Sequence, residues 1–134
     1  MCSSVSLLTE PRRILLLEDH ADTAAMMRRL LMRRGYHVVV ASTIAEATAA
    51  LRIDSFDLLL ADLVLPDGCG LDLMRNLSRT ATTLPGIALS GHSDPDDVCR
   101  SREAGFVEHH AKPVNLERLW ASIDRVLAKS GVGA

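Results

Sequence analysis

Leu58-Leu59-Leu60-Ala61-Asp62-Leu63-Val64-Leu65-Pro66-Asp67-Gly68-Cys69-Gly70 is the stretch that decides the fold of this 134-residue chain. It begins as an apolar run of strand length that stops at a single carboxylate, Asp62, and turn residues follow before a helical pattern starts. A short apolar run bounded by turn residues is typical of a strand buried on both faces of a parallel sheet. Ligands bind such sheets at the carboxyl ends of the strands, which is where Asp62 lies.

Composition excludes several classes of protein. The length predicts one domain with a proper core, and the formal net charge of −2 argues against the basic surface of a nucleic-acid-binding domain. No apolar run approaches the roughly 18 residues that a membrane span requires, and the N-terminus lacks a secretory pattern. The three cysteines, Cys2, Cys69 and Cys99, have no metal-binding spacing, which favours a reduced, cytoplasmic protein.

Four further segments share the strand pattern, and helical patterns lie between them. The predicted strands are 13–17, 36–40, 56–61, 87–89 and 106–111, and the predicted helices are 24–31, 43–51, 71–77, 94–105 and 116–127. Thr43, Asp94 and Asn115 are predicted helix N-caps, with Pro95 in the first turn behind Asp94. This alternation predicts an α/β fold with one parallel sheet and right-handed crossovers. We expect one domain over residues 12–129, flanked by tails 1–11 and 130–134.

The first polar residues after the predicted strands form one set. They are Glu18 and Asp19 after the first strand, Asp62 after the third, Ser90 after the fourth and Lys112 after the fifth. In a parallel sheet these strand ends share one edge, so we expect the side chains to meet. Clustered carboxylates repel unless a cation is present, and their oxygens suit Mg²⁺. A carboxylate beside a divalent metal and a lysine is arranged to attack phosphorus and form an aspartyl-phosphate.

With these residues in place, the chain resembles the receiver domain of two-component response regulators. The resemblance rests on the pair Glu18-Asp19, on Asp62 with Leu65-Pro66 and Gly70 behind it, on Ser90-Gly91, and on Lys112-Pro113. It covers about residues 12–129. It implies a flavodoxin-like (βα)5 fold with strand order 2-1-3-4-5, and a phosphoacceptor at Asp62 that is supplied by the phosphohistidine of a sensor histidine kinase or a histidine phosphotransfer protein.

The same resemblance implies roles for the other residues of the set. Asp19, Asp62 and the backbone carbonyl of Val64 would bind Mg²⁺ (or Mn²⁺), and Glu18 would assist through water. Lys112 and Ser90 would hold the phosphoryl group, with Ser90 moving towards it on activation. The bond between Lys112 and Pro113 would be a cis peptide. The chain would assist only its own phosphorylation and dephosphorylation and would not act as an independent enzyme.

Three positions concern switching and phosphoryl lifetime. His109 stands where the family often has Tyr or Phe as a rotameric switch, so the usual aromatic gating is in doubt. Val64 and His92 occupy positions that tune phosphoryl lifetime, and an apolar Val64 side chain cannot orient an attacking water.

His20, beside the acidic pair, is interpreted as a packed or solvent-facing residue rather than a metal ligand.

The resemblance also implies how the signal leaves the domain. The fourth helix, fifth strand and fifth helix, residues 94–129, would bind a downstream protein, and the chain would be a monomer or a weak homodimer through that face. The segment 104–114 is more similar to receivers of hybrid histidine kinases than to those of DNA-binding regulators. We expect either output through this domain itself or membership of a larger protein.

Three other functions compete with a phosphoacceptor domain. A metal-dependent phosphatase would use similar residues, but it usually carries an Asp-x-Asp motif after the first strand, where this chain has Glu18-Asp19. A receiver-like interaction module that is never phosphorylated would bind its partner equally well without the Asp62 carboxylate. A flavin or dinucleotide domain lacks its main support, because no glycine-rich loop follows the first strand.

Overall fold

Strands and helices alternate along residues 11–80, 84–91 and 94–132, the part of the chain that the computed structural model describes. The strands are β1 (Arg13–Leu17), β2 (His37–Ala41), β3 (Leu58–Asp62), β4 (Gly86–Ser90) and β5 (Glu108–Ala111). The helices are α1 (Ala21–Arg33), α2 (Ile44–Ile53), α3 (Gly70–Arg79), α4 (Pro95–Ala104) and α5 (Leu116–Val132). All five strands form one parallel sheet in the order β2-β1-β3-β4-β5. The predicted α/β class and strand order are confirmed.

The alternating residues of the central strands serve two separate cores. On one face Ile14 and Leu60 pack with Leu31 of α1 and Ile123 of α5. On the other face the residues next to them in sequence pack against α2, α3 and α4, with Leu73 among the buried contacts. Successive strand residues point to opposite faces, so a run such as 58–61 must be apolar throughout. This explains why β3 carries no polar residue before Asp62.

Several element boundaries differ from the sequence prediction. Strand β5 begins at Glu108 rather than at residue 106, because the Phe106 amide donates to the Ser101 carbonyl and so belongs to the end of α4. Strand β3 runs through Asp62 instead of stopping before it. Helix α3 spans Gly70–Arg79 and is longer than predicted at both ends. A two-residue antiparallel ladder, Val64–Leu65 with Gly68–Cys69, forms where the sequence indicated only a turn.

The predicted helix caps are confirmed. The Thr43 hydroxyl accepts from the Glu46 amide (3.1 Å), the Asp94 carboxylate from the Asp97 amide (3.0 Å) and the Asn115 side chain from the Arg118 amide (3.0 Å). Each cap satisfies a donor that the helix itself leaves unpaired. Within the described residues, no helix combines the length and the apolar character needed to cross a bilayer.

Candidate functional site

The carboxyl ends of four strands meet at one edge of the sheet and carry the predicted polar residues. Glu18 and Asp19 follow β1, Asp62 is the last residue of β3, Ser90 is the last residue of β4, and Lys112 follows β5. The sheet register pairs Asp62 with Leu89, so Ser90 lies one position beyond Asp62 on the neighbouring strand. Parallel pairing therefore places residues up to 94 positions apart in sequence at one site.

The ammonium group of Lys112 joins the two buried carboxylates of the site. Its Nζ atom donates to Asp62 Oδ2 at 2.8 Å and to Glu18 Oε1 at 3.2 Å. Glu18 and Asp62 are both buried, whereas Asp19 is exposed. Buried carboxylates are stable only when paired and hydrogen-bonded, so Lys112 supplies the positive charge that these two acids require.

The second oxygen of each buried carboxylate accepts a hydrogen bond from a backbone amide. Asp62 Oδ1 accepts from the Val64 amide at 3.2 Å, and Glu18 Oε2 accepts from the His20 amide at 3.1 Å. Each acid is thus held by one charged donor and one backbone donor. This fixes both carboxylates in orientation, which is the condition for a nucleophile or a ligand that acts by positioning.

The pKa of Lys112 shows which effect dominates at this site. Burial alone would lower the pKa, but the hydrogen bond and charge of Asp62 and the charge of Glu18 outweigh burial, and the pKa is raised above its ordinary value. Lys112 is therefore an ammonium at neutral pH, able to hold an anion such as a phosphoryl oxygen.

Three carboxylates face this single ammonium. Oxygen atoms of Glu18, Asp19 and Asp62 all lie within 4.8 Å of one another. One positive charge cannot balance three negative ones, and the cluster consists of hard oxygen donors of the kind that Mg²⁺ binds. The donor set and its charge therefore fit a divalent cation, and the exposed Asp19 leaves an approach from solvent.

An open cleft of about 420 Å³ lies over these groups. It is lined by Glu18, Asp19, His20, Thr23, Asp62, Val64, Gly91 and Lys112. Val64 is 67% exposed and lines the cleft, so an apolar residue borders it on the solvent side. The acidic cluster and Lys112 therefore border a solvent-accessible cleft.

Close backbone packing explains the glycine that starts α3. A Cβ atom on Gly70 would lie 2.6 Å from the carbonyl oxygen of Asp62, closer than any real contact. The Gly70 amide also donates to the Leu63 carbonyl at 2.9 Å. Any larger residue at position 70 would displace the backbone that carries Asp62, so this glycine is needed to shape the site.

His109 lies apart from the cluster and contacts α4. Its Nδ1 atom is 3.0 Å from the hydroxyl oxygen of Ser101, which is fully buried. Because that hydroxyl donates its hydrogen to the Val98 carbonyl (2.9 Å), the proton of the His109–Ser101 bond is assigned to His109 Nδ1. His109 is half-buried and does not line the cleft.

The next residue along β5 makes a matching contact on the opposite face. His110 Nε2 is 2.7 Å from the hydroxyl oxygen of Ser122 in α5, and Ser122 is buried. Burial lowers the pKa of His110, against the charge of Glu108, which raises it. The edge strand is therefore joined to both flanking helices by a histidine and a buried serine.

The remaining predicted positions have the following outcomes. The bond between Lys112 and Pro113 is cis, as the resemblance implied. His92 lies outside the described residues. The His20 ring contacts the Thr23 hydroxyl at 3.4 Å, and its backbone amide, not its side chain, contacts Glu18.

Sequence reasoning missed three contacts around the site. Ser101 and Ser122 gave no sign of being histidine partners, because an isolated serine inside a helical pattern has no distinguishing spacing. Asp67 was interpreted only as a turn residue, yet it binds the N-terminus of α2. A helix start leaves several amides in need of acceptors, but nothing in the sequence indicates that Asp67 supplies two of them.

Comparison with known proteins agrees with the geometry. The sequence matches the response regulator receiver domain family over residues 14–124. It is 34% identical over 118 residues to the transcriptional regulatory protein CpxR of Klebsiella pneumoniae, covering 88% of this chain and 50% of the relative. The chain thus spans about half the length of that relative, and 51% of another curated relative.

Solved structures give the same result. The receiver domain of HemR from Leptospira biflexa, in its non-phosphorylated form, superposes with a TM-score of 0.80 at 34% identity, covering 87% of this chain and 94% of that one. The receiver domain of a signal transduction histidine kinase from Syntrophus aciditrophicus superposes with a TM-score of 0.80 at 31% identity, covering 88% and 91%. Similar domains therefore occur both in transcriptional regulators and in histidine kinases.

Proposed function

This chain belongs to the response regulator receiver domain family, and from that premise we propose that Asp62 accepts a phosphoryl group from the phosphohistidine of a sensor histidine kinase or phosphotransfer protein. The observation that supports this most strongly is the position of Lys112, whose Nζ atom bonds both Asp62 (2.8 Å) and Glu18 (3.2 Å). Those bonds hold the Asp62 carboxylate in a fixed orientation where it lines the cleft.

In the proposed transfer, a carboxylate oxygen of Asp62 forms a bond to phosphorus as the bond from phosphorus to the donor nitrogen breaks. The electron pair of the broken bond remains on the donor ring, whose other nitrogen carries a proton, so the donor leaves as a neutral imidazole. Lys112 neutralises charge on the phosphoryl oxygens, and the Ser90 hydroxyl donates a hydrogen bond to one of them. Catalysis then consists of positioning and charge compensation, and no further acid or base is required.

Asp19, Asp62 and the Val64 carbonyl would hold a divalent cation, Mg²⁺ or Mn²⁺, with Glu18 assisting through water. When bound, such a cation neutralises phosphoryl oxygen charge. Magnesium at this acidic pocket is typical of the family, and the three clustered carboxylates fit it.

Two residues bear on how long the phosphoryl group lasts. Val64 presents an apolar, exposed side chain at the cleft and offers no group to orient a hydrolytic water. We propose that Val64 slows self-dephosphorylation for this reason, and that position 92, occupied by His92, also affects the lifetime of the phosphoryl group. The domain would act on its own phosphoryl group only and would not turn over a separate substrate.

The proposed output surface is formed by α4, β5 and α5, within a receiver domain spanning residues 12–129. His109 bonds to Ser101, and Ser90 pairs with Ala111 at the end of β5. A shift of Ser90 towards a phosphoryl group would therefore pull on β5, and the His109–Ser101 bond would carry that shift to α4. His109 would replace the usual aromatic switch, and a downstream protein or a second, weakly bound copy would recognise the changed face.

This proposal includes no direct binding to nucleic acid. The chain covers about half the length of the transcriptional regulator to which it is compared, so the activities of the full-length relative do not transfer to it. Its net charge of −2 also gives no electrostatic basis for binding nucleic acid.

The test uses acetyl phosphate as a small phosphodonor with MgCl₂ and reads the intact mass. We expect a single phosphoryl addition to the wild-type chain and none to Asp62→Asn. Omission of Mg²⁺ should also prevent the addition. A mass shift that persists in Asp62→Asn would contradict the assignment, and steady hydrolysis of many equivalents of a phosphomonoester would favour a phosphatase.

A further inference from the structure

The loop that follows Asp62 is attached to a different helix at its tip. Asp67 Oδ1 accepts from the Ile44 amide at 2.8 Å, and Asp67 Oδ2 accepts from the Ala45 amide at 3.0 Å. Both amides belong to the first turn of α2, 22 and 23 residues away in sequence. These hydrogen bonds lower the pKa of Asp67, so the group is a carboxylate at neutral pH and faces the positive end of the helix.

Helix α2 already has a conventional N-cap without Asp67. The Thr43 hydroxyl accepts from the Glu46 amide at 3.1 Å, and the Thr43 carbonyl accepts from the Ala47 amide at 3.1 Å. A single Ser, Thr, Asp or Asn is the usual requirement for a helix start. The two Asp67 hydrogen bonds are therefore not needed merely to start α2. They also attach the loop that contains Asp67 to that helix.

That loop is fixed to the sheet at its other end. The Leu63 amide donates to the Leu89 carbonyl (3.3 Å), and the Val64 amide donates to Asp62 Oδ1 (3.2 Å). Between base and tip, Val64–Leu65 pairs with Gly68–Cys69. Leu63 and Leu65, on either side of Val64, are buried in the core, whereas Val64 itself is exposed. The Val64 backbone is therefore positioned by this packing together with the hydrogen bonds at the base and at the tip.

We propose that Asp67 is a positioning residue for the cation site: by tying the loop tip to α2, it holds the Val64 carbonyl where a cation bound by Asp19 and Asp62 can use it. The inference rests on the proposed function, in which that carbonyl is a metal ligand. A ligand on a loop that is already ordered binds without the entropic cost of ordering the loop. Partners that orient metal ligands typically affect affinity about 10- to 100-fold.

The experiment titrates the 134-residue chain with Mg²⁺ alone and follows binding by calorimetry and by backbone amide NMR shifts. Asp67→Ala should bind Mg²⁺ about tenfold more weakly than wild type, at the lower end of the range for such partners. Asp67→Asn should lie between them, because its amide oxygen can accept only one of the two hydrogen bonds in the same orientation. In the metal-free protein, the Ile44 and Ala45 amides should exchange with solvent faster in Asp67→Ala.

Thr43→Ala is the matched control, because it weakens the same helix end but leaves the loop tip attached. Its Mg²⁺ affinity should equal that of wild type. Wild-type affinity in a folded Asp67→Ala, or in Asp67→Asn if the alanine variant does not fold, would overturn the positioning role. An equal loss in Thr43→Ala would do so as well, since the effect would then come from α2. If the wild-type chain itself fails to bind Mg²⁺, the proposed metal site falls and this inference falls with it.

Discussion

Strands β3 and β5 end at the same edge of the sheet but are held in place by different interactions. All five residues of β3 are buried, and four of them are apolar. Strand β5 has no fully buried residue and reads Glu-His-His-Ala. It is tied to its neighbours by side-chain hydrogen bonds, from His109 to Ser101, from His110 to Ser122, and from Arg125 to Glu108.

This difference in packing implies that β3 resists displacement more strongly than β5 does. Moving β3 would expose apolar side chains worth about 1.5–3 kcal/mol each, so Asp62 sits on a base that resists displacement. Each hydrogen bond that holds β5 contributes only about 1 kcal/mol net. Under the proposed function, a change at Lys112 or Ser90 would therefore shift β5 at a lower cost than β3, although β5 also pairs with β4 through the backbone.

The largest effect on stability should come from truncating the core under Asp62. Leu60→Ala removes a fully buried side chain, and we expect a loss of about 3 kcal/mol in the free energy of unfolding because a cavity remains. Urea unfolding measures this loss. As a control on β5, Glu108→Ala should cost well under half as much, and equal losses would remove the distinction between the two strands.

Removing the ammonium group of Lys112 should slow phosphorylation of Asp62, at the end of β3. In Lys112→Met the stem keeps its length but the charge is lost, and the rate of phosphorylation by acetyl phosphate should fall about 100-fold, as expected for loss of one charge-stabilising donor. Timed mass spectrometry gives the rate. Arg75→Met, which removes an exposed charge that bonds Asp72 on the same helix, should keep the wild-type rate. A Lys112→Met rate near wild type would argue against the proposed role.

Removing the α5 serine that bonds to β5 should have a smaller effect. Ser122→Ala deletes the 2.7 Å partner of His110, and we expect the free energy of unfolding to fall by about 1 kcal/mol. A double-mutant cycle with His110→Asn, measured by urea unfolding, isolates the pair. A coupling energy near zero would show that this hydrogen bond does not hold α5 to β5.

The smallest expected effect is a loss of stability on acidification that comes from His110 on β5. Burial lowers the pKa of His110, with Glu108 opposing the shift and His109, Arg125 and Arg118 adding to it. As the pH falls, the unfolded chain therefore binds the proton first, so the stabilising contribution is complete above the ordinary pKa of about 6.5 and declines below it.

Urea midpoints measured on either side of that ordinary pKa test this dependence. The midpoint of the wild-type chain should decline on acidification more than that of His110→Asn, which cannot take up the proton at this position. An identical decline in His110→Asn and wild type would mean that His110 does not titrate differently in the folded state.

The sequence was sufficient to predict the order of strands and helices and to identify the acidic and basic residues that meet at the site. Apolar runs at Ile14 and Leu58 that end on acids define buried parallel strands, and parallel strands force their ends to one edge. That rule alone predicted that Asp62, Glu18 and Lys112 would meet. It works because the sheet topology, rather than any side-chain detail, sets these positions.

Contacts made by single polar residues across elements could not be predicted. Asp67 finds amides of α2, and Ser101 finds His109, only after the sheet has fixed which helix lies beside which loop. The start of β5 was also misplaced, since Phe106 looks like a strand residue until its amide is seen to bond to the Ser101 carbonyl of α4. Such contacts depend on a few ångströms of tertiary geometry, for which sequence carries no periodic signal.

The central claim is that Asp62, and no other residue, accepts the phosphoryl group. Phosphorylation with acetyl phosphate and Mg²⁺ followed by borohydride reduction converts an aspartyl-phosphate to homoserine, which peptide mass spectrometry can place in the sequence. We predict homoserine at position 62 and unmodified residues at positions 19 and 67. Homoserine at another acid, or its absence from a chain that binds Mg²⁺, would contradict the account.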